Sequence, residues 1–216
     1  MDFATARHNM VESQIKPNRV TDTLVMTALA ELPRESFVPK ALQGIAYVDE
    51  AIDIGEGRHL MEAWVLARLL QAAEVQSDDI ALVIGCGSGY EAAVLSYLAS
   101  TVVALECIDS LAKQSNEVLT GLSIDTVAVV EGDLAQGCPA QAPYDVIFIN
   151  GAVSHIPDCL NEQLADGGRL VAIVGEGAYG KGTLVSRYNG VVTAREVFDA
   201  GTPVLPGFEQ DSTFSF

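Results

Sequence analysis

Ile80-Ala81-Leu82-Val83-Ile84-Gly85-Cys86-Gly87-Ser88-Gly89-Tyr90 is the stretch on which the fold turns. Its first five residues form a continuous apolar run of strand length, the pattern of a strand buried on both faces. The glycines that follow let the backbone turn sharply and approach a ligand without Cβ clashes, and a helix is expected from Tyr90 to Ala99, with unpaired N–H groups at its start. A strand, a glycine-rich turn and a helix in this order form the front edge of a nucleotide-type site. In a dinucleotide site of the G-x-G-x-x-G type the third glycine falls at position 90, where this chain has Tyr90; a nicotinamide dinucleotide is therefore the last choice of ligand.

Downstream, the alternation repeats. Strands are expected at residues 101–105, 126–130, 144–149 and 169–174, with helices near 110–119 and 157–164 between them. Residues 183–188 and 191–198 flank Asn189-Gly190, a strong two-residue hairpin signal. Upstream, residues 61–75 carry the clearest helical stripe, with Trp64, Val65, Leu66, Leu69 and Leu70 on one face. Two short helices are expected between Met10 and Leu32, with a break at Pro17-Asn18, Thr21 as N-cap and Pro33 as terminator; residues 37–53 read as an irregular connection. The fold expected is a Rossmann-like α/β fold of the S-adenosylmethionine-dependent methyltransferase type. Its mostly parallel doubly wound sheet ends in an antiparallel hairpin and carries an N-terminal helical cap.

The chain has 216 residues, enough for one sizeable core, so a single domain over 1–216 is expected, with 1–78 as cap and substrate-side segment and 79–216 as core sheet. Hydrophobic residues at 49% against 19% charged exclude a disordered composition. A net charge of -17, with no Lys/Arg stripe, argues against nucleic acid as partner, because the protein's own field opposes a polyanion. Cys86, Cys107, Cys138 and Cys159 form no C-x-x-C pair, so neither a zinc cage nor a disulfide framework is expected. No apolar run approaches the roughly 18 residues of a membrane span, and the N-terminus lacks an apolar signal core; the expectation is a cytoplasmic protein without a membrane partner.

Two acidic residues complete the candidate site. Glu106 ends the second strand of the repeat, 21 residues after Gly85, where a carboxylate can accept both hydroxyls of a ribose. Asp133, in Glu131-Gly132-Asp133-Leu134, follows the third strand on the same sheet edge and can accept from an adenine amino group. Singly, each also reads as a turn or cap residue. Gly85, Cys86, Gly87, Ser88, Gly89, Glu106, Cys107, Asp133, Leu134 and Asn150 are the candidate cofactor residues, and S-adenosyl-L-methionine is the expected cofactor.

At these residues the chain resembles the protein-L-isoaspartate O-methyltransferase family. The blocks that carry the resemblance include Met10-Val11-Glu12-Ser13-Gln14-Ile15, Pro33-Arg34-Glu35-Ser36-Phe37-Val38-Pro39, Ile54-Gly55-Glu56-Gly57, Ile84-Gly85-Cys86-Gly87-Ser88-Gly89-Tyr90 and Gln163-Leu164-Ala165-Asp166-Gly167-Gly168-Arg169-Leu170-Val171. The resemblance implies methyl transfer from S-adenosylmethionine to the carboxylate of isoaspartyl residues in damaged proteins or peptides, with Leu134 against the adenine.

The chain departs from the family's pattern in three places. Arg58-His59-Leu60-Met61 stands where the family has Gln-Thr-Ile-Ser, Val83 replaces an acidic residue, and the tail Thr202-Pro203-Val204-Leu205-Pro206-Gly207-Phe208 differs from the family's ending. Arg58 offers a planar fork for a substrate carboxylate and His59 a donor or base, which makes them the candidate catalytic residues; the plainer reading pairs Arg58 with Asp53, Glu56 or Glu62 and packs His59 at the lip. Ser154 reads as a helix N-cap and His155 as a surface residue, while Phe214 and Phe216 suit a sheet edge. Two alternatives therefore stand beside isoaspartyl repair: a cofactor-binding relative acting as a regulatory or partner-binding module, and a methyltransferase for a small molecule or another carboxylate acceptor.

Overall fold

The computed structural model describes residues 2–176 and 179–208. The N-terminal region holds α1 (Phe3–Met10) and α2 (Thr23–Glu31), joined by a π-helical turn at Val11–Ile15 and a 3-10 turn at Lys16–Asn18. The N-cap of α2 is Asp22, whose carboxylate accepts from Leu24 and Val25 N–H; Thr21 instead donates to Gln71, which corrects the expected cap. Both residue types can cap, and the one nearer the first helical turn does so. The connection after α2 is more ordered than its irregular sequence suggests. It carries 3-10 turns at Arg34–Phe37 and Lys40–Ile45 and a two-stranded antiparallel hairpin, β1 (Ile52–Gly55) with β2 (Arg58–Leu60). Helix α3 (Ala63–Ala73) then buries Val65, Leu66, Leu69 and Leu70 completely.

The main sheet has seven strands: β3 (Ile80–Ile84), β4 (Thr101–Glu106), β5 (Val127–Glu131), β6 (Tyr144–Val153), β7 (Leu164–Glu176), β8 (Tyr179–Tyr188) and β9 (Val191–Asp199). They lie in the order β5-β4-β3-β6-β7-β8-β9, parallel through β7 and antiparallel for the last two. Helices α4 (Tyr90–Ser96), α5 (Asp109–Gly121) and α6 (Asp158–Glu162) connect the parallel strands. Asn189 and Gly190 both take positive φ (50° and 76°), the conformation that a tight two-residue hairpin turn requires.

One apolar cluster joins the cap to the sheet, running from Met10, Val25 and Leu29 through α3 to Val83, Phe148 and Ile173. A second, on the opposite face, gathers Leu82, Ile84, Leu105, Leu134, Ile147 and Leu160 together with Leu205 and Phe208 from the end of the described chain. The strand order reverses direction at β3, whose neighbours are β4 and β6, so a crevice opens at the carboxyl ends of β3 and β6. Gly85 and Asn150 face each other there, and Asn150 Nδ2 donates to the Gly85 carbonyl at 3.0 Å.

Candidate active site

The turn after β3 is built as its sequence requires: Gly85, Gly87 and Gly89 take φ of 73°, 52° and 94°. At Gly85 this freedom is coupled to a close approach, since a Cβ there would stand 2.7 Å from Leu205 Cδ1. Under the turn lies a set of buried polar atoms without a hydrogen-bond partner among the described residues: Ser88 Oγ, Glu91 Oε1, Asn150 Oδ1 and Arg58 Nη1. Unpaired polar atoms are costly in a folded interior, and these four, of eight among the described residues, are free to meet a ligand or water. Cys86 is fully buried, and burial pushes its thiol up to about 12, so it is a packing residue of the turn and not a nucleophile.

Glu106, at the end of β4, is wholly buried and its carboxylate is fully engaged. Oε1 accepts from Cys107 N (2.9 Å), Ile108 N (3.2 Å) and Arg58 Nη2 (2.8 Å); Oε2 accepts from Gly87 N (2.9 Å) and Arg58 Nε (3.2 Å). Arg58 itself is only 2% exposed. Burial lowers the guanidinium pKa, but the hydrogen bond and charge of Glu106 raise it by more, and Arg58 stays protonated. The partner of Arg58 is thus the candidate ribose acceptor and none of Asp53, Glu56 or Glu62. The β1–β2 hairpin delivers it there through Gly55-Glu56-Gly57, three consecutive residues at positive φ. His59, its neighbour on β2, is half-buried and pairs in register with Asp53.

Residues 202–208 lie along the crevice as a strap. Val204 bridges Ala152 beyond the bulge of β6; Leu205 N donates to Ala152 O (2.8 Å), and Ala152 N donates to Pro203 O (2.9 Å). Ser154 donates from both N and Oγ to Phe208 O, at 3.2 and 2.8 Å. Ser154 is therefore an anchor of the strap and not the expected N-cap, because Pro157 occupies the cap position of α6. His155 is exposed, as expected. Leu205 and Phe208 are 2% and 3% exposed. The space left between the strap, the β1–β2 hairpin and the Asn150-Gly151 turn is about 10 Å³, lined by Arg58, His59, Met61, Asn150, Gly151 and Leu205 among others. Phe214 and Phe216, expected at a sheet edge, lie outside the described residues.

On the other side of Glu106 the crevice is open. A cavity of about 550 Å³ is lined by Cys107, Glu131, Gly132, Asp133, Leu134, Ala135, Pro206 and Gly207. Asp133 Oδ1 accepts from Ala135 N at 2.9 Å and caps a short 3-10 turn at Leu134–Gln136, while Leu134 is 3% exposed. The structure thus brings together every candidate cofactor residue on one sheet edge and adds Arg58 to them.

Three residues of this region were not singled out from the sequence. Glu91, in the first turn of α4, is 1% exposed, accepts from Asn150 Nδ2 at 3.1 Å, and is pushed up to about 7, chiefly by burial. Its signal was available: a lone carboxylate in the otherwise uncharged run Tyr90-Glu91-Ala92-Ala93-Val94-Leu95. Arg34 is completely buried, donates to Ala46 O (2.7 Å) and Met61 O (2.6 Å), and sits 4.8 Å from the Tyr90 ring centroid. It ties the segment after β2 to the start of α4. Leu205 had no signal beyond its apolar character.

The model of the protein-L-isoaspartate(D-aspartate) O-methyltransferase family matches residues 5–199. A protein-L-isoaspartate O-methyltransferase of Methanoculleus marisnigri is 42% identical over 169 residues, 78% of this chain and 77% of the relative. Protein-L-isoaspartate O-methyltransferase 1 of Rhodopseudomonas palustris is 40% identical over 80% of this chain and 71% of its own. Among solved structures, a protein-L-isoaspartate O-methyltransferase superposes with a TM-score of 0.79 at 24% identity, covering 93% of this chain and 66% of that one. A Plasmodium falciparum structure of the same description, in complex with S-adenosyl-L-homocysteine, gives 0.77 at 19% identity over 95% and 98%. The chain belongs to the protein-L-isoaspartate(D-aspartate) O-methyltransferase family.

Proposed function

We propose that the chain is an S-adenosylmethionine-dependent O-methyltransferase that methylates the carboxylate of isoaspartyl residues in proteins or peptides. The observation that carries this reading is the alignment of the glycine turn, Glu106 and the Asp133 cavity along one sheet edge at the reversal of strand order, in a member of this family. Asp133 and Leu134 suit the adenine, Glu106 the ribose hydroxyls, and the Gly85–Gly89 turn with Ser88 and Asn150 the remaining polar end. The open cavity and the unpartnered buried atoms fit such a ligand, provided that Arg58 gives way at Glu106.

When bound, S-adenosylmethionine supplies a methyl group activated on a sulfonium cation. The acceptor carboxylate is already ionised near neutral pH, so the chain's task is alignment and exclusion of water, not proton abstraction. The strap and the β1–β2 hairpin with His59 flank the crevice, and the buried Leu205 fills the space between them. An imidazole at His59 adds a hydrogen-bond donor at the lip.

A second reading, redirected acceptor specificity, is favoured by one observation. His59 and Met61 stand where the family pattern has Thr and Ser, so this segment presents no hydroxyl to an acceptor, and Met61 is 1% exposed. Methyl transfer from labelled S-adenosylmethionine to an isoaspartyl peptide, with the aspartyl peptide as control, separates the two. Selective transfer is expected; cofactor binding without transfer would mean that isoaspartyl methylation has been lost or redirected to another acceptor.

A further inference from the structure

We propose that Arg58 is a latch that competes with the cofactor's ribose hydroxyls for Glu106 and thereby sets how tightly this chain holds its cofactor; this rests on the reading of Glu106 as ribose acceptor. A ribose diol needs both carboxylate oxygens, and both are already engaged. Three of the five donors on Glu106 are backbone N–H groups of Gly87, Cys107 and Ile108, fixed by the strand end and the turn. The other two belong to the Arg58 side chain, in a forked contact at 2.8 and 3.2 Å. Only the side chain can leave without breaking the sheet edge.

Arg58 Nη2 also reaches Cys107 Sγ at 3.2 Å, so the charged group sits between Glu106 and a residue that lines the open cavity. The latch is also incompletely satisfied, because Arg58 Nη1, buried, has no partner among the described residues. A buried guanidinium with an orphaned donor is a poorer resting state than a fully bonded one, so its release is less costly than that of a fully paired ion. Arg58 is anchored on the small β1–β2 hairpin, outside the main sheet, and lines the crevice beside His59 and Gly57. It is a positioning residue for cofactor entry, acting through Glu106.

A latch that closes the binding-competent state weakens apparent affinity by the fraction of molecules that are open. Isothermal titration with S-adenosyl-L-homocysteine, the demethylated cofactor, reads this without any turnover. Arg58→Gln, which shortens the donor and removes the charge, is expected to tighten binding roughly tenfold. Arg58→Lys, which keeps the charge but loses the fork, is expected to fall between Gln and the natural residue. In a Glu106→Gln background the gain from Arg58→Gln is expected to vanish, because there is no carboxylate left to unlatch. Binding by the natural chain, with equal or weaker binding by both Arg58 variants, overturns the latch and leaves the cofactor reading standing. No binding by the natural chain or by either variant overturns both. Circular dichroism of each variant establishes that the fold is kept, and the Lys variant serves if the Gln variant is not.

Discussion

The two sides of the crevice differ sharply although one sheet edge builds both. Beside Asp133 there is a cavity of about 550 Å³, whereas between the β1–β2 hairpin, the strap and the Asn150-Gly151 turn only about 10 Å³ remains. The open side is framed mainly by residues placed by local chemistry, namely strand ends, a Glu-Gly-Asp turn and a short 3-10 cap, with Pro206 and Gly207 of the strap at its rim. The closed side is filled from far along the chain, by Arg58 and Leu205, which meet Glu106 and Gly85. A local frame leaves a space; distant side chains decide whether it stays open. The largest test of this contrast is Glu106→Ala. It removes the acceptor of the Gly87, Cys107 and Ile108 N–H groups as well as the counter-charge of Arg58, and is expected to cost about 3–5 kcal/mol in urea unfolding. A cost under about 1 kcal/mol would show that Arg58 reaches solvent readily, and the closed side would then be loosely closed.

Leu205→Ala tests the second filler. Its side chain is 2% exposed and packs against the face of the glycine turn, so removing it is expected to lower stability by roughly 2–5 kcal/mol. Titration with S-adenosyl-L-homocysteine should show unchanged or tighter binding, since the leucine occupies space and offers no polar contact. Weaker binding would mean that Leu205 is a wall of the ligand site and not an occupant of it.

The same contrast explains what the sequence revealed. The order and type of the main strands, the Gly85–Gly89 turn and the acidic residues at two strand ends were legible because each depends on a few neighbouring residues: an apolar run, a glycine spacing, a charge at a strand terminus. The small β1–β2 hairpin was missed because its strands have four and three residues, too few for an alternation to register. The partner of Arg58 was missed because three nearer acids compete on sequence distance, and only the fold brings Glu106 within 2.8 Å. Ser154 reads as a helix cap because Ser154-His155-Ile156-Pro157 resembles the family's turn ending in Ile-Pro, yet the strap's Phe208 carbonyl claims its hydroxyl. For Arg58 and Ser154 a long-range partner displaced a local one.

Glu91 lies beneath the closed side and tests it through pH. Its folded-state pKa is raised from 4.5 to about 7 by burial, with the charge of Arg34 and the hydrogen bond from Asn150 opposing. A carboxyl whose pKa is raised on folding binds more protons folded than unfolded. Its stabilising contribution is complete below about pH 4.5 and is lost as pH rises through 7. Glu91→Gln should therefore match the natural chain near pH 4.5 and exceed its stability by on the order of 1–3 kcal/mol at pH 8, read from urea unfolding at both values. A difference independent of pH would show that Glu91 is relieved by partners in the folded state and does not strain the crevice.

Asp133 carries the smallest expected effect and the finest discrimination, because a structural and a ligand role are separable at one carboxylate. Oδ1 caps the turn at Ala135, and a cap of this kind is worth about 1 kcal/mol. Asp133→Ala should lose that much stability, whereas Asp133→Ser keeps a capping oxygen and should lose only a few tenths. Serine, however, is too short to reach a group held in the cavity. If Asp133 recognises the adenine amino group, both variants weaken S-adenosyl-L-homocysteine binding alike, by roughly fivefold to tenfold for one lost hydrogen bond, although only one of them loses the cap. If binding instead follows stability, weak in Ala and intact in Ser, then Asp133 shapes the open side without touching what enters it. The acceptor of the adenine would then have to be sought in the backbone of the same turn.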